Sequence, residues 1–581
     1  MQTLENTSNG TEKDAMNAPD ADTQRSLPVY RALAEDIRAL GVTCVFGLMS
    51  DDTAVFATAL DSMGIRFYGA RHENNAIAMA EGHAHATGRL AIALIGRGPA
   101  TANGLHAAVS ASRTGSPVLV IYGDAAVGGG LNAIGPDYKG FNASAVLAAA
   151  GIPCFTATSA AAARSAFADA LAVTRQGALA ALLLPVNVQL ASICAPLAEP
   201  AHPAPAAPQP AAARVQSIAA AVALLATSER PVIVAGLGAH KAGAKRALEA
   251  LAQRTGALLM TSLLGKDMFR GSPYKLGVLG SFSHSLGRRM MEQADRVIVF
   301  GAGLNFLTTS FGAALPAVPL IQVDTLRAHI GRWTAADLAV VGDARVVAEQ
   351  LLAALPARPA TKKPFHAPET LRLLAGFDPA HDFQPANTAR TVDPRSLAIE
   401  LDRLLPADRS VVYDAGNFLG IVPYLSVPDP GHIKLTNEFA SIGLGFGTAL
   451  GVAKGRPDKT TVLVIGDGGF LMTLGELETV VREDLPLVIV LMNDCAYGAE
   501  LHFLKLRELP VHKAVFPDVD FAPIAEGFGF QVATIRSLED LPAVAPLLAN
   551  PQGPVLLDCK LNAAVVAPFM SEFAEFEAKH G

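Results

Sequence analysis

Uninterrupted apolar runs alternate with Ala- and Leu-rich segments in three successive parts of the chain. The runs include RLAIALIG and SPVLVIYGD in the first part, RPVIVAGLG and DRVIVFGAG in the second, and TTVLVIGDG and LPLVIVLMND in the third. Runs that are apolar at every position are typical of strands covered on both faces, whereas half-exposed strands alternate apolar and polar residues. The pattern therefore predicts an α/β fold with three doubly wound parallel-sheet domains.

Two proline-rich stretches separate these three parts. The first, APLAEPAHPAPAAPQPAAAR, has the composition of an extended linker, and the second is less uniform. We predict linkers at 195–214 and 357–394, and domains at 28–194, 215–356 and 395–575. Residues 1–27 are polar and are predicted to be a disordered tail.

The composition is that of a large, well-buried globular protein, with 51% hydrophobic and 17% charged residues. The net charge of -7 gives no basic surface, so nucleic acid is not a predicted partner. No apolar run reaches the roughly 18 residues that a membrane-spanning helix needs, so no membrane association is predicted. Five scattered cysteines without a CxxC pair indicate a reduced, cytoplasmic protein.

Two carboxylates stand directly after apolar runs in the third part. Asp467 follows TVLVI and a glycine, and Asp494 follows LVIVLM and an asparagine. The segment 461–494 is predicted to be one βαβ unit, with TLGE at 473–476 as a capping box, so both acids would reach the same sheet edge. Flanking glycines allow close approach of a bulky anion, which favours Mg²⁺ carrying a diphosphate. Acids that merely cap loops are the alternative.

Three motifs together resemble the thiamine-diphosphate (ThDP) enzymes of the acetolactate synthase, pyruvate decarboxylase and benzoylformate decarboxylase group. They are GDG followed by NDCAYG, RHENNAIAMAEGHAHATGR, and NEFASIGLGFGTALG. The resemblance implies pyrimidine-binding, middle Rossmann-like and diphosphate-binding domains, in that order, with ThDP and Mg²⁺ as cofactors. It implies three metal ligands, Asp467, Asp494 and the carbonyl of Ala496, although the family usually has Asn where this chain has Asp494.

The same resemblance assigns the cofactor contacts. Glu73 would share a proton with the aminopyrimidine ring and so make the cofactor nucleophilic. Ile442 would be the apolar wedge under the cofactor, and the carbonyl of Ala440 would accept a hydrogen bond from its amino group. The further contacts implied are Gly466, Asp467, Gly468, Gly469, Asn493 and Tyr497. The resemblance also implies a homodimer or homotetramer with active sites at the subunit interface.

The reaction expected from the resemblance is formation or cleavage of a C–C bond next to a carbonyl, by a lyase or transferase acting on a 2-oxo acid or aldehyde. Acetolactate-synthase-like carboligation is our first interpretation. The alternative is non-oxidative decarboxylation, since Glu500 stands where pyruvate decarboxylases place an acid used in proton transfer. A solvated acid at a helix start would also explain Glu500. His72 is a further catalytic candidate, and a non-catalytic paralogue is the least favoured interpretation.

The middle domain could carry FAD, as acetolactate synthases do. In GLGAHKAG (236–243), however, Lys241 replaces the third glycine of the dinucleotide-binding pattern GxGxxG. The acetolactate synthase stretch GARFDDR appears here as GAGLNFL (301–307). FAD is therefore an alternative that the sequence does not favour.

Overall fold

The computed structural model describes residues 25–128, 138–195, 210–356 and 365–580. Its architecture consists of three six-stranded sheets in which every neighbouring pair of strands is parallel, with helices on their faces. The central strands are fully buried, as their uninterrupted apolar sequences require. The predicted fold class is confirmed.

The first sheet has the strand order β3-β2-β4-β5-β7-β6, and a separate antiparallel pair joins β1 to β8. The strands are β1 Arg25–Pro28, β2 Cys44–Gly47, β3 Arg66–Gly69, β4 Ala91–Ile95, β5 Val118–Asp124, β6 Cys154–Thr156, β7 Leu179–Pro185 and β8 Ser192–Ala195. The helices are α1 Val29–Ala39, α2 Ala54–Ser62, α3 Glu73–Thr87, α4 Pro99–Thr114, α5 Ala143–Ala149, α6 Ala160–Thr174 and α7 Val186–Leu190.

The second sheet has the order β11-β10-β9-β12-β13-β14. The strands are β9 Pro231–Ala235, β10 Leu258–Thr261, β11 Lys275–Val278, β12 Arg296–Phe300, β13 Leu320–Asp324 and β14 Leu338–Val341. The helices are α8 Val215–Ala226, α9 Leu237–Lys241, α10 Lys245–Thr255, α11 Ser285–Met291 and α12 Ala344–Ala354, followed by α13 Pro368–Ala375.

The third sheet has the order β16-β15-β17-β18-β20-β19. The strands are β15 Arg409–Tyr413, β16 Ile433–Leu435, β17 Thr460–Gly466, β18 Leu487–Asn493, β19 Gln531–Ile535 and β20 Val555–Lys560. The helices are α14 Pro394–Leu404, α15 Gly445–Gly455, α16 Asp467–Thr473, α17 Glu476–Arg482, α18 Gly498–Leu506, α19 Ala522–Phe528, α20 Leu541–Ala549 and α21 Pro568–His580.

The three sheets fall within the three predicted domain ranges, and the ends of those ranges carry additional structure. Strand β1 includes the last three residues of the predicted tail, whose residues 1–24 lie outside the described chain. Helix α13 lies within the second predicted linker, and α21 extends past residue 575. The first predicted linker is described at 195, where β8 ends, and from 210, where the Ala213 backbone pairs with the Gln350 side chain of α12.

Strands β17 and β18 are parallel neighbours, so the segment 461–494 forms the expected βαβ unit. The predicted capping box is wrong. The crossover contains two helices: α16 ends at Thr473, whose hydroxyl donates to the carbonyl of Gly469, and α17 begins at Glu476 after Gly475, without a side-chain cap. The Glu476 carboxylate instead accepts from the Arg71 amide and the Asn75 side chain of the first domain.

Helices α3 and α15 join the first and third domains along a seam of glycines. A Cβ on Gly82 would lie 2.0 Å from the carbonyl oxygen of Thr448, and one on Gly451 would lie 1.9 Å from that of Met79. Beside this seam, Lys434 and Glu81 form a buried ion pair at 2.7 Å. Burial alone would raise the pKa of Glu81, but Lys434 holds it below its usual value. The glycine distances show that the backbones of the two helices are in direct contact.

Replacing Gly82 with Ala should lower the thermal unfolding midpoint, because the added methyl must push the two helices apart. Overpacking of this kind costs about 1–3 kcal/mol. The matched control is Gly527→Ala in helix α19, where a Cβ would meet nothing within 4 Å. That change should leave the midpoint equal or higher, since Ala favours helix over Gly. Equal midpoints for the two variants would contradict the packing argument.

Candidate cofactor and active site

The two carboxylates meet at the carboxyl edge of the third sheet. Asp467 directly follows β17 and is 2% exposed, and Asp494 directly follows the neighbouring β18. Burial, together with the nearby Asp494, raises the pKa of Asp467 to about 8. Burial also raises the pKa of Asp494 to about 7. A buried acid and a half-buried acid at the ends of adjacent strands form a site that a cation would stabilise.

The surrounding glycines let the side chains of the site lie directly against the backbone. A Cβ on Gly468 would lie 2.5 Å from the ring of Tyr497, and one on Gly498 would lie 2.5 Å from a carboxylate oxygen of Asp494. The Gly468 amide donates to Asp467 at 3.1 Å. Within the described residues, no cluster of three or more His, Cys, Asp or Glu side chains could hold a metal. Two carboxylates completed by backbone and ligand oxygens suit Mg²⁺, which usually keeps phosphate or water ligands.

Two residues beside this pair have unusual backbone conformations. Cys495, between Asp494 and Ala496, has φ 56°, and Ala440 has φ 52°. Residues other than glycine rarely adopt this left-handed region, and they do so most often at functional sites. The turn at Cys495 is where the chain leaves β18 and brings the Ala496 backbone to the wall of the cleft.

A buried acid that the sequence analysis missed organises the loop before α15. Asp414 is 1% exposed and accepts from the amides of Gly443 and Gly445, at 2.7 and 3.0 Å, and from the hydroxyl of Thr436 at 3.1 Å. Burial raises its pKa despite these bonds. The loop that it fixes carries Ala440 and Ile442. A lone Asp after strand β15 belongs to no motif, so only its apolar approach, SVVYD, could have indicated it.

A cleft of about 590 Å³ joins these features. Among the predicted site residues, the structure brings together along its wall Ala440, Ile442, Gly466, Asp467, Gly468, Gly469, Asp494, Ala496, Tyr497 and Glu500. Tyr497 packs edge-on against Phe516, with ring centroids 5.2 Å apart. The rest of the wall is mostly aromatic and aliphatic, with the two amides Asn417 and Asn437. One cleft therefore combines the paired acids with a largely apolar lining.

Glu500 lies in the first turn of α18 and is exposed to the cleft. His502, two residues on, is 3% exposed and does not line the cleft. Burial lowers the pKa of His502, and its Nε2 atom is buried without a hydrogen-bond partner. The helix therefore presents Glu500, and not His502, to the cleft.

Glu73 and His72 do not line this cleft in the same chain. Glu73 is the first residue of α3, is 8% exposed and accepts from the Asn103 side chain at 3.1 Å. The His72 ring caps the helix by accepting from the Asn74 amide at 3.1 Å, and its side chain is half exposed. His72 thus has a structural role at the start of α3, and its catalytic role stays a prediction.

Asn493, a predicted cofactor contact, also lies off the cleft wall. Its side chain is 1% exposed and donates to Asp558 at 2.9 Å and to the Val519 carbonyl at 3.2 Å, while its oxygen accepts from the Cys495 amide. These bonds hold the turn that carries Asp494. The Asn493 side chain therefore stabilises the turn beneath the site and does not line the cleft.

The middle domain has its switch point between β9 and β12, where α/β sheets bind nucleotides. There the loops after the two strands touch, because a Cβ on Gly236 would lie 2.2 Å from the carbonyl oxygen of Gly301. The second glycine of the pattern, Gly238, also faces Gly301. In the GAGLNFL stretch, Phe306 and Leu307 line the cleft. These contacts give FAD no support.

The geometry defines a class: an α/β protein with paired acids and glycine-rich turns at the carboxyl edge of its third sheet. Family comparison identifies the cofactor. Models of thiamine pyrophosphate enzymes match residues 28–131 as the N-terminal TPP binding domain, 218–351 as the central domain and 414–559 as the C-terminal TPP binding domain. Thiamine pyrophosphate is another name for ThDP. The chain belongs to the thiamine pyrophosphate enzymes, as its sequence motifs predicted.

Individual relatives are named for different reactions. The chain is 27% identical to a probable acetolactate synthase large subunit of Methanocaldococcus jannaschii, over 93% of each chain. It is 29% identical to a probable 2-ketoarginine decarboxylase of Pseudomonas aeruginosa, over 89% of this chain and 91% of the other. It is 26% identical to the sulfoacetaldehyde acetyltransferase of Castellaniella defragrans, over 88% of each. The chain is therefore similar to carboligases, decarboxylases and transferases alike.

The fold has a solved counterpart. An X-ray structure from Mycobacterium smegmatis, described as a thiamin diphosphate-dependent enzyme, covers 92% of this chain and 100% of its own, with a TM-score of 0.72 and 22% identity. That likeness concerns the arrangement of the domains. Among the described residues, no helix combines the length and apolarity that a bilayer crossing needs.

Proposed function

We propose that this chain is a ThDP- and Mg²⁺-dependent decarboxylase of 2-oxo acids. The observation that carries the proposal is Glu500, an acid exposed on the wall of the cleft that also holds Asp467 and Asp494. In decarboxylation the C1–C2 bond of the 2-oxo acid breaks, CO₂ leaves, and a proton takes its place at C2 to give an aldehyde. In this proposal Glu500 delivers that proton.

The chain's own residues hold the cofactor in this proposal. Asp467, Asp494 and the carbonyl of Ala496 would ligate Mg²⁺, and the glycines beside Asp467 would accommodate the diphosphate. Ile442, on the loop fixed by Asp414, would support the cofactor ring. When bound, ThDP supplies a carbon nucleophile that adds to the carbonyl and then stores negative charge.

Glu73 would come from a second copy of the chain. Among the described residues, those that line the cleft belong to the middle and third domains, and none lies between 25 and 195. The buried Glu73 carboxyl has the setting expected of a group that shares a proton with a ring nitrogen. These observations support a homodimer, or a tetramer built from dimers, in which each site combines Glu73 of one protomer with Asp467 of its partner.

Acetolactate-synthase-like carboligation is the second candidate. The similarity to the Methanocaldococcus jannaschii relative along 93% of both chains favours it. In that reaction CO₂ also leaves, but a second carbonyl carbon, and not a proton, bonds to C2. The two candidates therefore differ in what happens after loss of CO₂, the step at which Glu500 would act.

Replacing Glu500 with Gln tests this choice. The rate of aldehyde release from a 2-oxo acid should fall about 10²–10⁴-fold, the usual contribution of a positioned acid. Products are read by NMR from ¹³C-labelled pyruvate and 4-methyl-2-oxopentanoate, with ThDP and Mg²⁺ affinities measured separately by calorimetry. Both affinities should be unchanged, since Glu500 is not a proposed ligand.

The matched control is Glu526→Gln, an exposed acid on α19 that does not line the cleft. It should behave as the parent protein. Acetolactate or another carboligation product at an undiminished rate in the Glu500 variant would replace the decarboxylase proposal by the second candidate.

A further inference from the structure

One part of the cleft, which we call its aromatic end, is lined largely by phenylalanine side chains. Three elements that are distant in sequence contribute them: the loop after β12, helix α18 and helix α21. Together with a residue that follows β11, they supply Phe282, Phe306, Phe311, Phe503, Phe569 and Phe573. Aromatic side chains bury large apolar areas, so this end of the cleft favours an apolar ligand.

The charged groups of the cleft are all acidic. Among the described residues that line it, the charged side chains are Asp467, Asp494 and Glu500, and none is Lys, Arg or His. The first two belong to the proposed metal site and the third to proton transfer. The wall that the middle and third domains contribute therefore offers no counter-charge to an anionic substrate side chain, and an unpaired buried charge is strongly disfavoured.

The loop after β12 is held in a strained conformation that aims aromatic rings at the cleft. Leu304, Ser310 and Phe311 have φ values of 54°, 47° and 55°, in the region that bulky residues rarely adopt. The ring of Phe311 packs 5.4 Å from that of Phe306 and 5.9 Å from that of Phe573. Strain that is retained at a ligand-facing loop points to a functional placement.

Helix α21, which carries Phe569 and Phe573, forms ion pairs with both of its neighbours. Glu572 pairs with Arg288 of α11 at 2.7 Å, and Glu577 pairs with Arg507 beside α18 at 2.6 Å. The Phe569 ring also packs 5.8 Å from Phe282. The aromatic wall is therefore a built surface joined to the middle and third domains.

We propose that the substrate of this enzyme is a 2-oxo acid whose side chain is bulky, uncharged and apolar, either aryl or branched alkyl. The proposal rests on the proposed function and adds the class of side chain. Such a side chain fills the aromatic end, whereas the methyl of pyruvate leaves the rings against water. The products are CO₂ and the aldehyde one carbon shorter, with a proton bonded at the former C2.

The first test compares kcat/KM of the holoenzyme for five 2-oxo acids. These are 4-methyl-2-oxopentanoate, phenylpyruvate, pyruvate, 2-oxoglutarate and 5-guanidino-2-oxopentanoate. We expect the first two to exceed the others at least tenfold, since one methylene in an apolar pocket is worth about 10–200-fold. A preference for pyruvate, for the anionic acid or for the cationic acid would overturn the inference and leave the decarboxylase proposal standing.

The second test locates the selectivity in the aromatic wall. Phe573→Ala should lower the ratio of kcat/KM for 4-methyl-2-oxopentanoate over pyruvate at least tenfold. The matched control, Phe528→Ala, removes a phenylalanine on α19 that is 39% exposed and does not line the cleft, and it should leave the ratio unchanged. Equal loss for both substrates in the Phe573 variant would assign that ring a purely structural role and overturn its place in selectivity.

Binding of unreactive acids tests the proposed side-chain preference independently of the decarboxylation reaction. Trp333 is the one tryptophan of the chain, and its ring lies 6.4 Å from Phe306. Titration of its fluorescence with unreactive 4-methylpentanoate and with glutarate should show at least tenfold tighter binding of the apolar acid. Equal binding would overturn the inference. If ThDP binds, the apolar acid binds and none of the five 2-oxo acids reacts, the decarboxylase proposal fails while the apolar site stands.

Discussion

Mg²⁺ and ThDP should raise the thermal unfolding midpoint of the parent protein but not that of Asp467→Asn. The variant loses one of the two carboxylates proposed to ligate the metal. Even substitution of a residue that only hydrogen-bonds to a metal ligand lowers metal affinity about 10–100-fold. A ligand at about 100 times its Kd stabilises the folded state by about 2.7 kcal/mol, so the difference is measurable. Calorimetric titration with Mg²⁺ in the presence of ThDP should show binding at least about 100-fold weaker in the variant.

A matched control exists at the opposite end of the same strand. The control residue is Asp484, an exposed acid that precedes β18, whereas Asp494 follows that strand. The φ of Asp484 is 50°, which suits Asn as well as Asp. Asp484→Asn should bind Mg²⁺ and ThDP like the parent protein. Unchanged Mg²⁺ affinity in the Asp467 variant would remove this acid from the proposed ligand set.

Replacing Glu73 with Gln should reduce turnover about 10²–10⁴-fold while ThDP and Mg²⁺ remain bound. A Gln side chain can still accept the hydrogen bond from Asn103, so the folded structure should be retained. The loss has a chemical cause, since Gln cannot exchange a proton with the aminopyrimidine ring. Steady-state rates, calorimetric ThDP binding and the unfolding midpoint are the three measurements.

Mixed dimers extend this test to the shared site. Co-expression of Glu73→Gln and Asp467→Asn chains with two different tags yields dimers in which one site has both residues intact. Random assortment into two-fold symmetric dimers then predicts roughly a quarter of the parent activity, although each variant alone is nearly inactive. Isolated mixed dimers without restored activity would show that Glu73 and Asp467 of the same chain work together, contrary to our proposal.

The fold and the acidic pair could be predicted from the sequence because both depend on local sequence patterns. Strands covered on both faces must be apolar at every position, and a parallel βαβ unit brings its strand ends to one edge, so Asp467 and Asp494 could be placed together. The failed capping box shows the limit of such patterns. TLGE fits a helix start, and α17 does begin at Glu476, but Thr473 ends α16, and Glu476 was needed at the contact with the first domain.

Features made by tertiary packing could not be predicted from the sequence. Asp414 stands alone after its strand, and its three donors come from a loop that only the fold brings to it. The aromatic end of the cleft draws residues from loops and helices more than two hundred positions apart, such as Phe306 and Phe573. No spacing rule connects such residues, and each phenylalanine in isolation would be assigned to the hydrophobic core.

The glycine seam between α3 and α15 has a consequence for communication between active sites. Helix α3 begins at Glu73, and α15 follows the loop that carries Ile442, so the seam joins a residue proposed for one site of a dimer to a residue proposed for the other. Because the two backbones touch at Gly82 and Gly451, neither helix can slide without moving its neighbour. We therefore expect a shift of one helix on ligand binding at its site to be transmitted to the other site.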